Sequence, residues 1–342
     1  MRIHGGDIYE NTHLLDFSAN INPLGMPDAV RDAVISSVHD CTRYPDPHCR
    51  ALTGAIAEAE AFDAANIVCG NGAADLIWRI VYALRPRNAV VCALCFSEYR
   101  AALAAVGCRI TEYPLAEADQ FRLDARFLGS LTEETDIVFL CTPNNPTGNL
   151  TDPELMQKAA QICESKHITL VCDECFLRFC ENSAAYSLQR YLNRSCIILQ
   201  AFTKLYAMPG LRLGYALCGS AETAEILRGT GQYRSVSLPA QAAGIAALRE
   251  KTWVQRTVRY VAEQRRFLTD ALRGTGVTVY DDAANFLLIR AQRDLADKLE
   301  MRGIRIRTCA DFSGLTDAHF RIAVRTKSEN EALISAVREA YV

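Results

Sequence analysis

The sequence lacks an excess of charge of either sign: 37 lysines and arginines stand against 40 aspartates and glutamates, a formal net charge of −3. No run of like charges breaks that balance, which argues against nucleic acid or an anionic membrane as a partner. Long hydrophobic runs are also missing. A stretch such as 88–96 (NAVVCALCF) falls far short of the roughly 20 residues that span a bilayer. The polar opening MRIHGGDIYE has no apolar segment of the secretory kind, so a cytoplasmic protein is expected. Internal repeats and low-complexity segments are absent as well.

What the sequence does contain is ample core material and many thiols. Its 342 residues are 50% apolar, and the length exceeds the roughly 100–200 residues of one typical domain, so two domains or one large α/β unit are expected. Most of the fourteen cysteines sit inside apolar runs, as Cys69, Cys141, Cys172 and Cys218 do. There a free thiol behaves as a small hydrophobe. The pairs Cys92/Cys95 and Cys172/Cys175 have a spacing that also suits zinc. Each pair closes an apolar run rather than a Gly- or Lys-bearing knuckle, so reduced core thiols and no metal are expected.

Short apolar runs alternate with helical spacing. Residues 65–69 precede a pattern with Leu76, Ile77, Ile80, Val81 and Leu84 on one face; 89–94 precede a helix over 97–106; 137–141 precede PNNPTG and a helix over 152–166. Further runs follow at 168–172, 197–200 and 214–218. This predicts βαβ units and a largely parallel sheet. From about residue 240 the pattern becomes one long helix over 241–274, strands at 277–280, 286–289, 304–308 and 320–324, and a helix over 294–302, a smaller α+β unit. We expect 1–40 as an N-terminal arm joined to the small domain, 41–240 as the large domain and 241–342 as the C-terminal small domain.

Four segments carry chemistry, in this order. Cys69-Gly70-Asn71-Gly72-Ala73 joins a strand to a helix; it is either an ordinary β–α turn or an anion cradle at a helix N-terminus. Thr142-Pro143-Asn144-Asn145-Pro146-Thr147-Gly148 is a rigid turn, or a support for an amide donating to a phenolate. Asp173, at the end of an apolar run, either caps a helix or faces a ligand where ligands of open α/β sheets bind. Thr203-Lys204 and, eight residues on, Arg212 offer an amine for a Schiff base and a guanidinium for a phosphate. Singly each is weak. Together they meet the needs of pyridoxal 5′-phosphate.

With these segments in this order, the chain resembles, over nearly its whole length, the fold-type-I, aspartate-aminotransferase-like superfamily of pyridoxal-phosphate enzymes. The resemblance implies a large α/β/α domain with a mostly parallel sheet, plus a smaller α+β domain drawn from both chain ends. It implies that Lys204, beside Thr203, links to the cofactor and that Asp173 pairs with the pyridine nitrogen. Asn145 would bond the ring O3′, Asn71, Gly72, Ala73 and Arg212 would bind the phosphate, and Phe96 would stack on the ring. Tyr44, in Arg43-Tyr44-Pro45, matches a residue that reaches the partner subunit's cofactor, so a homodimer with shared sites is implied.

The chain ends point to a branch. His4-Gly5-Gly6 and Asp16-Phe17-Ser18-Ala19-Asn20-Ile21-Asn22-Pro23 resemble the decarboxylases of amino-acid phosphates in cobamide biosynthesis. The related histidinol-phosphate aminotransferases usually carry an N-E-N-P type of segment here and lack the His-Gly-Gly start. Arg307-Thr308-Cys309 and Arg321-Ile322-Ala323-Val324-Arg325 agree with the first branch. The resemblance implies that Arg321 holds a substrate carboxylate and that His4, Gly5, Asn20 and Arg307 surround a substrate phosphate, with Asn145 also facing the substrate. It implies decarboxylation of L-threonine O-3-phosphate; serine phosphate as substrate, or transamination of a histidinol-phosphate type, is the alternative. Alternation through Arg302, Arg305 and Arg307 would equally suit a solvated strand face. Two positions depart from the wider pattern: Ala201 stands where many relatives have a hydroxyl, and Phe176 where many aminotransferases have a tyrosine.

Overall fold

The structure is a computed structural model that describes residues 5–9, 12–280 and 282–341. In chain order the strands are β1 (Leu15–Asp16), β2 (Ile67–Gly70), β3 (Asn88–Cys92), β4 (Arg109–Tyr113), β5 (Ile137–Cys141), β6 (Thr169–Asp173), β7 (Cys196–Ala201) and β8 (Gly214–Cys218). They are followed by β9 (Thr278–Val279), β10 (Phe286–Arg290), β11 (Ile304–Arg305), β12 (Arg307–Thr308) and β13 (His319–Ala323). A seven-stranded sheet has the order β2-β8-β7-β6-β5-β3-β4. All its pairings are parallel except those of β8, which runs antiparallel to both β2 and β7. This is the fold-type-I arrangement.

Successive residues of a strand point to opposite faces, and each face of this sheet buries its own core. Val171 and Phe139 join Leu76, Ile77, Ile80 and Val81 of helix Gly72–Leu84 on one side. Cys172 and Leu140 join Leu52, Ile56, Met156 and Ala243 on the other. Helix Pro153–Ser165 starts where Asp152 accepts hydrogen bonds from the Glu154 and Leu155 N–H groups, with proline in its first turn.

The structure departs from the sequence reading in several places. β4 (RITEY) is a charged, mostly exposed edge strand without a clean apolar run. Helices Asp28–Ser37 and Arg50–Glu60 are present where no element was expected. The long helix over 241–274 is two helices, Leu238–Arg249 and Lys251–Arg273, parted at Glu250. The strand expected over 304–308 is β11 and β12, and these serve different sheets.

That last division matters for the site. β11 pairs in parallel with β1, while β12 joins the antiparallel sheet β12-β13-β10-β9. The Phe17 N–H donates to Arg305 O and the Ala323 N–H to Phe17 O, so the N-terminal segment is stitched between the two C-terminal strands. Helix Asp28–Ser37 then packs on helix Leu238–Arg249.

Candidate active site

A cavity of about 410 Å³ lies where the C-terminal ends of β5, β6 and β7 meet the segments from both chain ends. Cys141 and Asp173 are register partners at the ends of β5 and β6, and both line it. Asp173 Oδ2 accepts the Tyr99 phenol O–H at 2.6 Å, and Oδ1 accepts the Cys175 N–H at 3.0 Å. Lys204 lies on the short helix Phe202–Leu205 that follows β7. Burial, with the charges of Arg321 and Arg212 behind it, pushes its ammonium down to about 8. An amine so placed is neutral for part of the time near neutral pH, the state in which it can react with an aldehyde.

The turn after β2 opens helix Gly72–Leu84, and its Asn71 N-cap makes no side-chain capping bond. The Asn71 N–H itself donates to Asp75 Oδ2 at 2.8 Å, and the turn presents the positive end of the helix. Gly72 has φ +83, and a Cβ there would fall 2.7 Å from Arg212 Nη2. The cradle of backbone amides and guanidinium is open only because the residue is glycine, and that donor set suits a phosphate. Of the paired asparagines, Asn144 is committed to the loop: its Nδ2 donates to Leu94 O and Thr147 Oγ1. Asn145 Oδ1 accepts from Arg321 Nη1 at 2.6 Å, which leaves its Nδ2 for a ligand. Phe96 and Thr203 are also in the cavity wall.

The chain ends supply the rest of the wall. Gly6 N–H donates to Ser18 Oγ at 2.8 Å, and a Cβ on Gly5 would fall 2.0 Å from Ser18 O, so Gly5 packs flat on the Ser18 backbone. Asn22 N–H donates to Lys204 O, and Asn22 Nδ2 to Leu205 O, fastening this arm to the lysine segment. Arg321 donates from Nη2 to Ser18 O at 2.8 Å; burial, with Arg307 adding to it, lowers its pKa to about 10. Arg307 and Arg321 are cross-strand register partners on β12 and β13, 5% and 8% exposed. Arg307 Nη2 pairs with Asp311 Oδ2 at 2.7 Å. Like charges directly opposite each other destabilise a sheet. Two buried guanidiniums so placed, with Asp311 bound to one of them, make a receptor for anions.

Thus Gly5, Asn20, Ala73, Phe96, Asn145 and Asp173 share one wall with Thr203, Lys204, Arg212, Arg307 and Arg321. Asn71 and Gly72 lie at the turn beside it. Tyr44 does not line this cavity: it is 78% exposed, with the Arg234 guanidinium 4.5 Å from its ring. His4 lies outside the described residues. Sequence reasoning missed Tyr99, Ser18, Asp311 and Phe312. Tyr99 was within reach of it, since three residues after Phe96 places it on the same helical face. Among the described residues no three potential ligands cluster to hold a metal, and no helix is long and apolar enough to cross a membrane.

The model of the aminotransferase class I and II family matches residues 12–337. The threonine-phosphate decarboxylase of Salmonella typhimurium is 38% identical, over 98% of this chain and 95% of that protein. An adenosylcobalamin biosynthesis bifunctional protein of Leptospira interrogans is 31% identical over 99% of this chain, which corresponds to 41% of that longer protein. The crystal structure of the histidinol-phosphate aminotransferase from Clostridium acetobutylicum superposes with a TM-score of 0.90 at 27% identity, covering 96% of this chain and 99% of that one. Fold, order of segments and extent of match agree: the chain belongs to the aminotransferase class I and II family.

Proposed function

We propose that this chain is a pyridoxal-phosphate-dependent decarboxylase converting L-threonine O-3-phosphate to (R)-1-amino-2-propanol O-2-phosphate in cobalamin biosynthesis, acting as a cytoplasmic homodimer. The observation that carries the reading is the buried pair Arg307 and Arg321, in register on adjacent strands and lining one cavity with Lys204 and Asp173. A substrate with both a carboxylate and a phosphate satisfies both cations. Whole-length similarity to a threonine-phosphate decarboxylase supports the same choice.

In this reading Lys204 holds the cofactor through its amine, and Arg212 with the Asn71, Gly72 and Ala73 segment holds its phosphate. Thr203 flanks the lysine, Phe96 covers the ring, and the partner subunit's Tyr44 completes the phosphate site. When bound, pyridoxal phosphate supplies an aldehyde for amines and a protonated ring that draws off the electron pair released at the substrate α-carbon. Asp173 keeps the ring-nitrogen proton in place, and Asn145 Nδ2 donates to the ring oxygen. Arg321 would grip the carboxylate, while His4, Gly5, Asn20 and Arg307 would fix the phosphate, and together they would orient the substrate for loss of its carboxylate. Lys204 Nζ, with a pKa of about 8, can hold a proton and return it to the α-carbon. Fourteen free thiols suit a reducing cytoplasm. The exposed Tyr44 and Tyr233, both stacked on Arg234, suit a face covered by a second copy.

The test is incubation of the holoenzyme with phosphothreonine. Carbon dioxide and a primary amine are expected, without a 2-oxo acid. Conversion of glutamate to 2-oxoglutarate with formation of pyridoxamine phosphate would replace this reading by transamination. Faster turnover of phosphoserine would change the substrate. Lys204→Ala should abolish the visible-edge absorbance and the activity together.

A further inference from the structure

Tyr99 is a buried ionisable group touching Asp173 that nothing above uses. It stands in the first turn of helix Ser97–Ala105 and is fully buried. Its ring stacks on Phe139 of β5, with centroids 5.0 Å apart and planes 14° apart, and meets Phe96 edge-on at 5.8 Å. Both contacts leave the phenol oxygen aimed at Asp173 Oδ2, 2.6 Å away. That is the length of a hydrogen bond to a charged acceptor.

The outer torsion of an aspartate is soft, so a lone carboxylate swings. Here one donor sits on each oxygen: the phenol on Oδ2 and the Cys175 N–H on Oδ1. Two donors on different oxygens fix the plane of the group. A carboxylate facing a protonated ring nitrogen must leave the proton on that nitrogen.

We propose that Tyr99 is a positioning residue: acting through Asp173, it sets the plane of the carboxylate and holds it toward the cofactor's ring nitrogen, so that this nitrogen keeps its proton. The inference rests on the role given to Asp173 above. The phenol is suited to it because burial, and then the Asp173 charge, raise its pKa well above the ordinary value. It remains a donor throughout the working pH range and cannot itself take the ring proton.

Tyr99→Phe removes one O–H and keeps both ring contacts. The test is a double-mutant cycle with Asp173→Asn, read on the affinity of the apoprotein for pyridoxal phosphate and on the ¹⁵N resonance of ring-labelled cofactor in the holoenzyme. Tyr99→Phe should weaken affinity roughly 10-fold or more and move the resonance toward the unprotonated position. It should lower kcat while KM for the amino-acid phosphate stays within about twofold, because Tyr99 does not reach the anion-binding arginines. In the Asp173→Asn background the same change should move affinity less than about twofold. Phe139→Leu, which loosens the stack and spares the O–H, should lower thermal stability without moving the resonance. An unshifted resonance in Tyr99→Phe, or an equal loss of affinity in both backgrounds, overturns the proposal and leaves Asp173 in its role. If Asp173→Asn alone alters neither resonance nor affinity, the role of Asp173 fails and that of Tyr99 with it.

Discussion

On the sheet side, Asp173 in the cavity wall and the loop residues Asn144 and Thr142 behind it have protein partners. Asp173 accepts on both oxygens, Asn144 is bonded twice, and Thr142 Oγ1 takes the Thr151 N–H. On the side built from the chain ends, Asn20 Oδ1 and Arg321 Nε are buried without a partner among the described residues. Leaving such a group unpaired costs about 1–3 kcal/mol, and more for a charged one. The Asp173 carboxylate is therefore fixed before anything binds, as suits a group that stays. The chain-end side carries an unmet demand for hydrogen bonds, as suits a molecule that comes and goes. Substitutions should divide along the same line: chain-end changes should act on substrate, and sheet-side changes on cofactor.

Arg321 should give the largest effect. Arg321→Ala removes a buried cation and its bonds to Asn145 and Ser18. We expect kcat/KM for phosphothreonine to fall roughly 100- to 1,000-fold, corresponding to about 3–4 kcal/mol. Cofactor affinity, followed by absorbance, should stay within about threefold. An equal loss of cofactor would erase the contrast between the two sides.

Lys204 tests the sheet side through pH. Its folded pKa of about 8 lies below the ordinary lysine value of 10.5, so between these values the unfolded apoprotein holds more protons than the folded one. Apoprotein stability then rises with pH over that window, and the full cost of burying the charge is present below it. Lys204→Met should be more stable than the parent apoprotein below pH 8, by on the order of 3 kcal/mol, with the gap closing toward pH 10. Denaturant titrations of both apoproteins across pH 7–10 measure this, and a gap that does not change with pH would contradict it.

Arg307 should matter less than Arg321, because it shares its charge with Asp311, a third exposed. Arg307→Ala should cost roughly 10-fold in kcat/KM for phosphothreonine and much less for a substrate without the phosphate. Equal losses for the two substrates would remove Arg307 from the phosphate.

The same two sides differ in how far the sequence discloses them. The sheet-side groups follow apolar runs directly: Asp173 ends β6, Lys204 follows β7, and Asn71 to Ala73 follow β2. Strand, turn and helix signals are local, so these residues were legible from spacing. Arg307, Arg321, Asn20 and Gly5 come together only when β1 inserts beside β11 and Ala323 bonds Phe17. No local pattern records a pairing across 300 residues, and resemblance alone pointed to them. The division of 304–308 was missed for the same reason: alternation foretells a strand but not that its halves join different sheets. Tyr99 reads as a core aromatic in sequence, and only its distance to Asp173 distinguishes it.

Ala201 offers the smallest effect and the finest probe of the contrast. It ends β7, lines the cavity and stands three residues before Lys204, where the family resemblance leads to the expectation of a hydroxyl. Ala201→Ser adds one donor on the side whose groups already have partners. A single neutral hydrogen bond contributes about 1 kcal/mol, so the apoprotein should hold pyridoxal phosphate roughly fivefold more tightly, with KM for phosphothreonine unchanged. On the proposed reading an extra donor gains little here because the Arg212 guanidinium and the helix N-terminus would already offer charge and N–H groups to the phosphate, whereas one donor removed from the chain-end side would leave a buried anion unmet. A change in KM with no gain in cofactor affinity would mean that the substrate, rather than the cofactor, lies against the end of β7.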